Sequence, residues 1–379
     1  MLKTARRNKI YFGLKPLAYF LVKKSLFMQA TQTTKNGFLL INLGTPKSPS
    51  VKDVREYLGE FLMDRHVLDV PWFLRKIIVS GFILPFRPKG SAEAYSKIWT
   101  KEGSPLLVKS QTLADSLESA LGEPVVLSMR YGSPSIPDGI QALKTRGVDN
   151  VCIIPLYPQH ADSTITTSIE AAVGALPDGM SSFVMPPFYK KPQHVKAWGE
   201  VIRENLPEKW DHLLFSYHGL PERHLETADP TKKHCLNCDD CCAVPSPAHD
   251  TCYRHQVYET SKEIVKYLGM RDDQYGVSFQ SRLGRLPWLT PYTDKVLEAL
   301  PEKGIKNVAV VCPAFVVDNL ETLEEMGMQG HETFMEAGGE TFTLIPCIND
   351  NPVWVEGLAE LCRKESIANA SSSSSSSSS

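Results

Sequence analysis

A histidine, His218, closes a short apolar run at 213–215 and opens a turn, in the segment Ser-Tyr-His-Gly-Leu-Pro at 216–221. A neutral imidazole at such a place can accept a proton or bind a divalent metal. Later in the chain, Pro-Ala-Phe-Val-Val-Asp-Asn-Leu-Glu-Thr-Leu-Glu-Glu at 313–325 gathers Asp318, Glu321, Glu324 and Glu325 behind a second apolar run. On an α-helix Glu321 and Glu325 would share a face, as would Asp318 and Glu321. The plain reading of these acids is a first helical turn favoured by the macrodipole and facing water. Facing His218 instead, they would form a path for protons or a divalent cation, and nitrogen and oxygen donors suit Fe²⁺ or Mn²⁺.

Other polar and aromatic groups follow apolar runs in the same way. Gln280, Ser281 and Trp288 lie in Gln-Ser-Arg-Leu-Gly-Arg-Leu-Pro-Trp-Leu at 280–289, directly after the run at 275–279. Arg130-Tyr131 follows the run at 125–129, and Tyr157-Pro-Gln-His160 the run at 151–156. An indole there packs in a core or stacks on an aromatic ligand, and an arginine can pair with a ligand carboxylate.

The elements that must position these groups are alternating ones. Strands are expected at 37–43, 125–129, 151–156, 213–217, 275–279, 307–311 and 341–345, separated by helices at 111–120, 140–144, 258–268 and 293–300. Such alternation gives parallel sheets covered on both faces, with the chemistry at the carboxyl edges of the strands. The fold class is α/β, with two Rossmann-like halves meeting near residue 190. The block at 72–86 is apolar except for Arg75 and Lys76. It reads either as a buried helix or as an apolar lip over a flat ligand or a membrane surface.

Bulk properties narrow the function classes. The chain has 379 residues, 42% hydrophobic and 22% charged, with a net charge of −2. That composition is ordinary for a globular protein and gives no global electrostatic case for nucleic acid. No apolar run reaches the roughly 18 residues of a transmembrane helix. Residues 1–35 form a basic extension, read as a membrane-surface segment, a targeting sequence, or residues ahead of a start at Met28. The remaining segments are a first half at 36–190, a second half at 191–365, and a tail at 366–379, serine from 371 onward, expected to be disordered.

Five of the nine cysteines fall between Cys235 and Cys252, in an insertion at 234–255. In an enzyme of this size such density suggests metal before disulfides. Cys235 and Cys238 have the two-residue spacing of paired ligands. Cys241 or Cys242 would be the third ligand and Cys252 the fourth, with Cys241 preferred on even spacing. Four thiolates suit zinc or a [2Fe–2S] cluster. His234, His249 and His255 are alternative ligands.

Taken together the motifs resemble the ferrochelatases over most of residues 37–362. The histidine motif at 216–221, the signature at 279–294 and the acidic signature at 313–325 carry the likeness. Lys-Glu-Gly-Ser-Pro-Leu at 101–106, Met129-Arg-Tyr131 and Leu156-Tyr-Pro-Gln159 add to it. The resemblance implies two chelatase-type halves around a porphyrin cleft and insertion of Fe²⁺ into protoporphyrin IX. It implies His218 and Glu321 as the central pair, and Asp318 and Glu325 along the acidic route. It places Tyr95, Ser104, Arg130, Tyr131, Gln280, Ser281 and Trp288 against the porphyrin. It also implies a widened turn in the acidic helix, which would alter the spacing above. Asn319 stands where some members have histidine. The insertion looks like that of members carrying a [2Fe–2S] cluster. The implied location is the cytoplasm, with peripheral membrane contact, and a homodimer is compatible. Coproporphyrin as substrate, cobalt insertion into an early tetrapyrrole, a non-catalytic haem or metal carrier, and an iron–sulfur sensor are the rival readings.

Overall fold

The structure is a computed structural model that describes residues 35–376, apart from Asp239 and residues 283–285. The basic extension, up to residue 34, and the last three serines lie outside the described residues, as does the middle of the signature at 279–294.

Eight strands form two four-stranded parallel sheets. The first holds β1 (Asn36–Thr45), β2 (Val125–Gly132), β3 (Asn150–Pro155) and β4 (Ser181–Val184), in the order β2-β1-β3-β4. The second holds β5 (His212–His218), β6 (Tyr275–Gln280), β7 (Asn307–Val311) and β8 (Thr341–Leu344), in the order β6-β5-β7-β8. The orders are the same pattern repeated, which bears out two Rossmann-like halves. Sequence reading missed β4, whose Ser-Ser-Phe-Val has neither a long apolar run nor two-residue alternation.

Both faces of the central strands are apolar, as a helix-covered parallel sheet requires. Phe38 and Leu40 of β1 point into one large core, which also receives Phe215 and Tyr217 of β5. Leu39 and Ile41 point the other way, onto Ile136, Ile140 and Leu143. Leu214 of β5 likewise turns to Val308, Val310 and Phe334. Residues from the helices Pro105–Leu121, Pro192–Asn205, Tyr253–Leu268 and Pro352–Ser376 fill the shared core.

The last helix packs on Pro105–Leu121 of the first half and on Pro192–Asn205, so the chain returns across the boundary drawn at 190. This helix also corrects the expected disorder from 366, since it continues to Ser376. Trp354, Leu358, Leu361 and Cys362 are buried on its inner face and provide the costly nucleus. Continuing an existing helix through serine then costs only about 0.5 kcal/mol per residue.

The apolar block does not form a buried helix. It winds as Trp72–Ile77 followed by a π-helical turn, Ile78–Ile83. Val79 is buried, while Phe73 and Phe86 are 70% and 77% exposed and Trp72 and Phe82 are nearly as open. Each such side chain forgoes about 1.5–3 kcal/mol of burial. An exposed apolar ridge of this kind marks a binding surface.

Candidate active site

His218 is the last residue of β5, and its register partner on β6 is Gln280. Its Nδ1 lies 2.6 Å from the Gly219 carbonyl. A carbonyl can only accept, so Nδ1 carries the proton and Nε2 of the neutral ring is left as the base. The Gly219 N–H donates to the Gln280 carbonyl at 2.7 Å. A Cβ at residue 219 would sit 2.8 Å from that same oxygen, so only glycine fits this turn. The ring of Phe315, from the loop after β7, meets the imidazole edge-on at 6.3 Å between centroids.

Gln280 joins this edge to the acidic segment. Its Oε1 accepts from Ser216 Oγ at 2.7 Å, and its Nε2 donates to the Glu321 carbonyl at 3.2 Å. Glu321 opens a π-helix, Glu321–Gly330. The wider turn aligns Glu321, Glu325 and Gln329 more closely than an α-helix would. It also corrects the expected pairing of Asp318 with Glu321, because Asp318 precedes the helix and is directed inward. Asp318 accepts from Lys109 at 2.8 Å, the Cys347 N–H at 2.8 Å and Asn349 at 2.9 Å. It is a buried anchor between the halves, not part of an open acidic route.

The four acids are therefore in different states. Lys109 neutralises Asp318 and Lys97 neutralises Glu324 at 2.7 Å, both lysines coming from the first half. Ser281 Oγ donates to Glu325. Ser281 has φ 65°, a left-handed backbone unusual for a residue with a Cβ and a common mark of a functional turn. Glu321 makes no ion pair among the described residues. Burial pushes its carboxyl above the usual range, while the His218 charge pulls it back and the Glu325 charge pushes it up. Its edge is partly accessible but protein atoms surround it. His218 is thus close enough for its charge to act on the Glu321 carboxyl. Tyr57 and Tyr95 lie near Glu321, and burial raises both phenols, keeping them neutral donors.

The remaining expected contacts divide. Trp288 lies over the histidine turn, its ring 3.4 Å from the ideal Cβ position of Gly219, and Pro221 bridges to it. Tyr95 is buried beside Tyr57, and Ser104 accepts from Thr45 at 2.8 Å. Arg130 is already engaged by Asp64 and donates to Thr167 at 2.8 Å. Tyr131 is 1% exposed and donates to Asp64 at 3.0 Å. Arg130 stays partly exposed on a cavity that Asp64 and Thr167 also line, while Tyr131 is buried. Asp64 was not anticipated, since nothing in Met63-Asp-Arg-His66 marks it. Tyr253 was missed as well. Its hydroxyl donates to the His218 carbonyl at 2.8 Å.

In the insertion, Asp229 accepts from the N–H groups of Thr231, His234 and Cys235 and from Thr231 Oγ1. The Cys235, Cys242 and Cys252 thiols perturb one another's ionisation, with a weaker influence from Cys241. The influence of Cys242 pulls the Cys252 thiol down to about 6. The Cys252 sulfur accepts the His255 N–H at 3.5 Å and caps the Tyr253–Leu268 helix, where the macrodipole favours a thiolate. Cys238 is exposed on the same loop. His234 and His249 face the Cys241 carbonyl and His255 the Cys242 carbonyl, at 2.7–2.9 Å, so these rings are committed to backbone. No group of three or more His, Cys, Asp or Glu side chains among the described residues is arranged to hold a metal. The thiols fit a soft metal by chemistry.

Comparison with known proteins gives one answer. The ferrochelatase family profile matches residues 35–366. The ferrochelatase of Pseudomonas syringae pv. tomato is 49% identical over 335 residues, covering 87% of this chain and 98% of its own. That of Azotobacter vinelandii is 46% identical over 335 residues, covering 87% and 99%. Among solved structures, SirB from Bacillus subtilis with Fe³⁺ superposes with a TM-score of 0.50 at 12% identity, covering 87% of this chain and 95% of that one. The last likeness is one of fold.

Proposed function

The chain belongs to the ferrochelatase family, and we propose that it inserts Fe²⁺ into protoporphyrin IX at the cleft between its two sheets, forming protohaem and releasing two protons. The observation that supports this reading is His218 at the end of β5 with Nδ1 committed to a carbonyl, its charge acting on a Glu321 carboxyl raised by burial. A free-base porphyrin must lose two pyrrole protons as the metal enters. A base near neutrality takes them most effectively. Nε2 of His218 accepts a proton, and Glu321, poised to hold or release one, relays it along the face it shares with Glu325. Ferrous iron is the substrate metal here, and the π-helix offers it oxygen ligands.

The exposed ridge of Trp72, Phe73, Phe82 and Phe86 supports an apolar mouth, which favours the less carboxylated protoporphyrin over coproporphyrin. The same ridge supports contact with a membrane surface from the cytoplasm. No helix among the described residues is long and apolar enough to cross a membrane.

The cysteine insertion is proposed to hold a [2Fe–2S] cluster through Cys235, Cys238, Cys252 and one of Cys241 and Cys242. Its support is the paired-ligand spacing of Cys235 and Cys238 on one loop and the helix terminus beneath Cys252. Bound there, the group would supply a structural or sensory centre. Visible charge-transfer bands and about two irons per chain would support it, and colourless protein with one zinc would reject it.

The decisive experiment is an anaerobic assay of Fe²⁺ with each porphyrin. Multiple turnovers are expected with protoporphyrin, and His218→Ala is expected to lose at least about 10³-fold in kcat with an unchanged melting temperature. Near-normal turnover in that variant would remove His218 from its role.

A further inference from the structure

We propose that Tyr253 is a positioning residue for His218 and the joint through which the cysteine insertion acts on that base. The inference rests on the reading of His218 as the base. Three hydrogen bonds hold the turn at His218, two of them on the peptide that follows it. Its carbonyl accepts from Tyr253 at 2.8 Å, its N–H, on Gly219, donates to Gln280 at 2.7 Å, and the next carbonyl, of Gly219, takes the imidazole Nδ1–H at 2.6 Å. With both polar groups of the 218–219 peptide held, the Gly219 carbonyl is aimed at Nδ1. That selects the tautomer with a bare Nε2. Burial pushes the Tyr253 phenol up, so its hydroxyl stays a donor.

Tyr253 is also the first residue after Cys252, whose sulfur accepts the His255 N–H at 3.5 Å, while the His255 ring faces the Cys242 carbonyl at 2.8 Å. The insertion is spliced between the two elements that flank the histidine turn. It leaves the helix Glu222–Ala228 through Asp229 and is closed by Thr251 Oγ1 donating to the Ala228 carbonyl at 2.8 Å. It then delivers Tyr253 directly to His218. A change in the thiol group displaces Cys252, and the rigid ring one residue on carries that displacement to the His218 carbonyl.

The test is Tyr253→Phe in the full-length enzyme, which keeps the ring and removes only the hydroxyl. Turnover should fall about five- to tenfold, the size of one lost hydrogen bond, with KM for protoporphyrin unchanged. In ¹⁵N-imidazole NMR, with His218→Ala assigning the resonance, the His218 signal should pass from a single Nδ1–H tautomer to a mixture. This signature needs no turnover, so it stands apart from the assignment of the reaction. Unchanged kcat and tautomer, or a rise in KM alone, would overturn the positioning role. The joint is tested by a double-mutant cycle with Cys242→Ser. That substitution should shift the His218 resonance in the parent and leave it unmoved when Tyr253→Phe is already present. Equal shifts in both backgrounds, or none in either, would overturn the coupling.

Discussion

The two sheets repeat one strand order, yet their carboxyl edges are finished differently. In the first half the edge is closed on itself. Asp64 accepts from Arg130, Thr167 and Tyr131, Ser104 accepts from Thr45, and Asn42 donates to Ser110 at 3.1 Å. Gly44, with φ 115°, lets β1 come so close to β2 that a Cβ would strike the Tyr131 carbonyl. In the second half the edge is left open. His218 turns only Nδ1 to a carbonyl, Glu321 makes no ion pair among the described residues and feels the Arg87 charge only weakly, and Ser281 holds a left-handed backbone. The shared topology places groups at an edge. Whether they do chemistry depends on whether each carboxylate is already matched by a neighbour.

Replacing Glu321 by Gln tests the open edge most severely. It should cost about 10²-fold or more in kcat, the usual loss when a general acid–base group is removed. Stability should move the other way. A carboxyl raised by burial is costly when ionised, so the variant should melt higher than the parent above the folded-state pKa. That advantage should shrink as pH falls and vanish below the unfolded carboxyl pKa of about 4.3. Calorimetry across pH reads the difference. A variant that is both slower and less stable at neutral pH would mean that Glu321 is a structural carboxylate like Asp318.

Seven of the eight strands were legible, because fully buried parallel strands write themselves as apolar runs. His218, Glu321 and the lip at 72–86 were legible for the same reason, each lying beside such a run or forming one. Asp318 was misplaced by running the helix back through it, whereas the helix opens at Glu321 and Asp318 is held inward by Lys109, Cys347 and Asn349. Asp64, which holds both Arg130 and Tyr131, was missed because it lies far off in sequence within a loop. Tyr253 left no trace for the same reason. Its role is a single bond to a backbone carbonyl, and sequence carries no record of which carbonyl a buried hydroxyl will find.

Substituting Asp64 by Asn probes the closed edge, and its expected signature is the reverse of that at Glu321. Burial alone would raise this carboxyl. Hydrogen bonds from Thr167, the His66 N–H and Tyr131, with the Arg130 charge, hold it below the usual range instead. Its stabilisation is therefore present above the unfolded carboxyl pKa and lost as pH falls through the folded one. Breaking a largely buried pair should cost about 3 kcal/mol at neutral pH, seen as a lower denaturation midpoint. The turnover of the folded fraction should change little. A large loss of kcat with unchanged stability would move the first half's edge into the reaction.

Beside Asp64 lies a control with better geometry and a weaker expected effect. Arg65 grips Glu170 through both oxygens at 2.9 and 3.0 Å, but their side chains are 66% and 48% exposed, against 5% for Asp64. Water screens that pair, and the hydrogen bond from His66 already holds the Glu170 carboxyl low before Arg65 contributes. Arg65→Ala should shift stability by less than about 1 kcal/mol in urea titration. If it cost as much as the change at Asp64, burial would not be what separates the closed edge from the surface around it. The contrast drawn between the two halves would then need another cause.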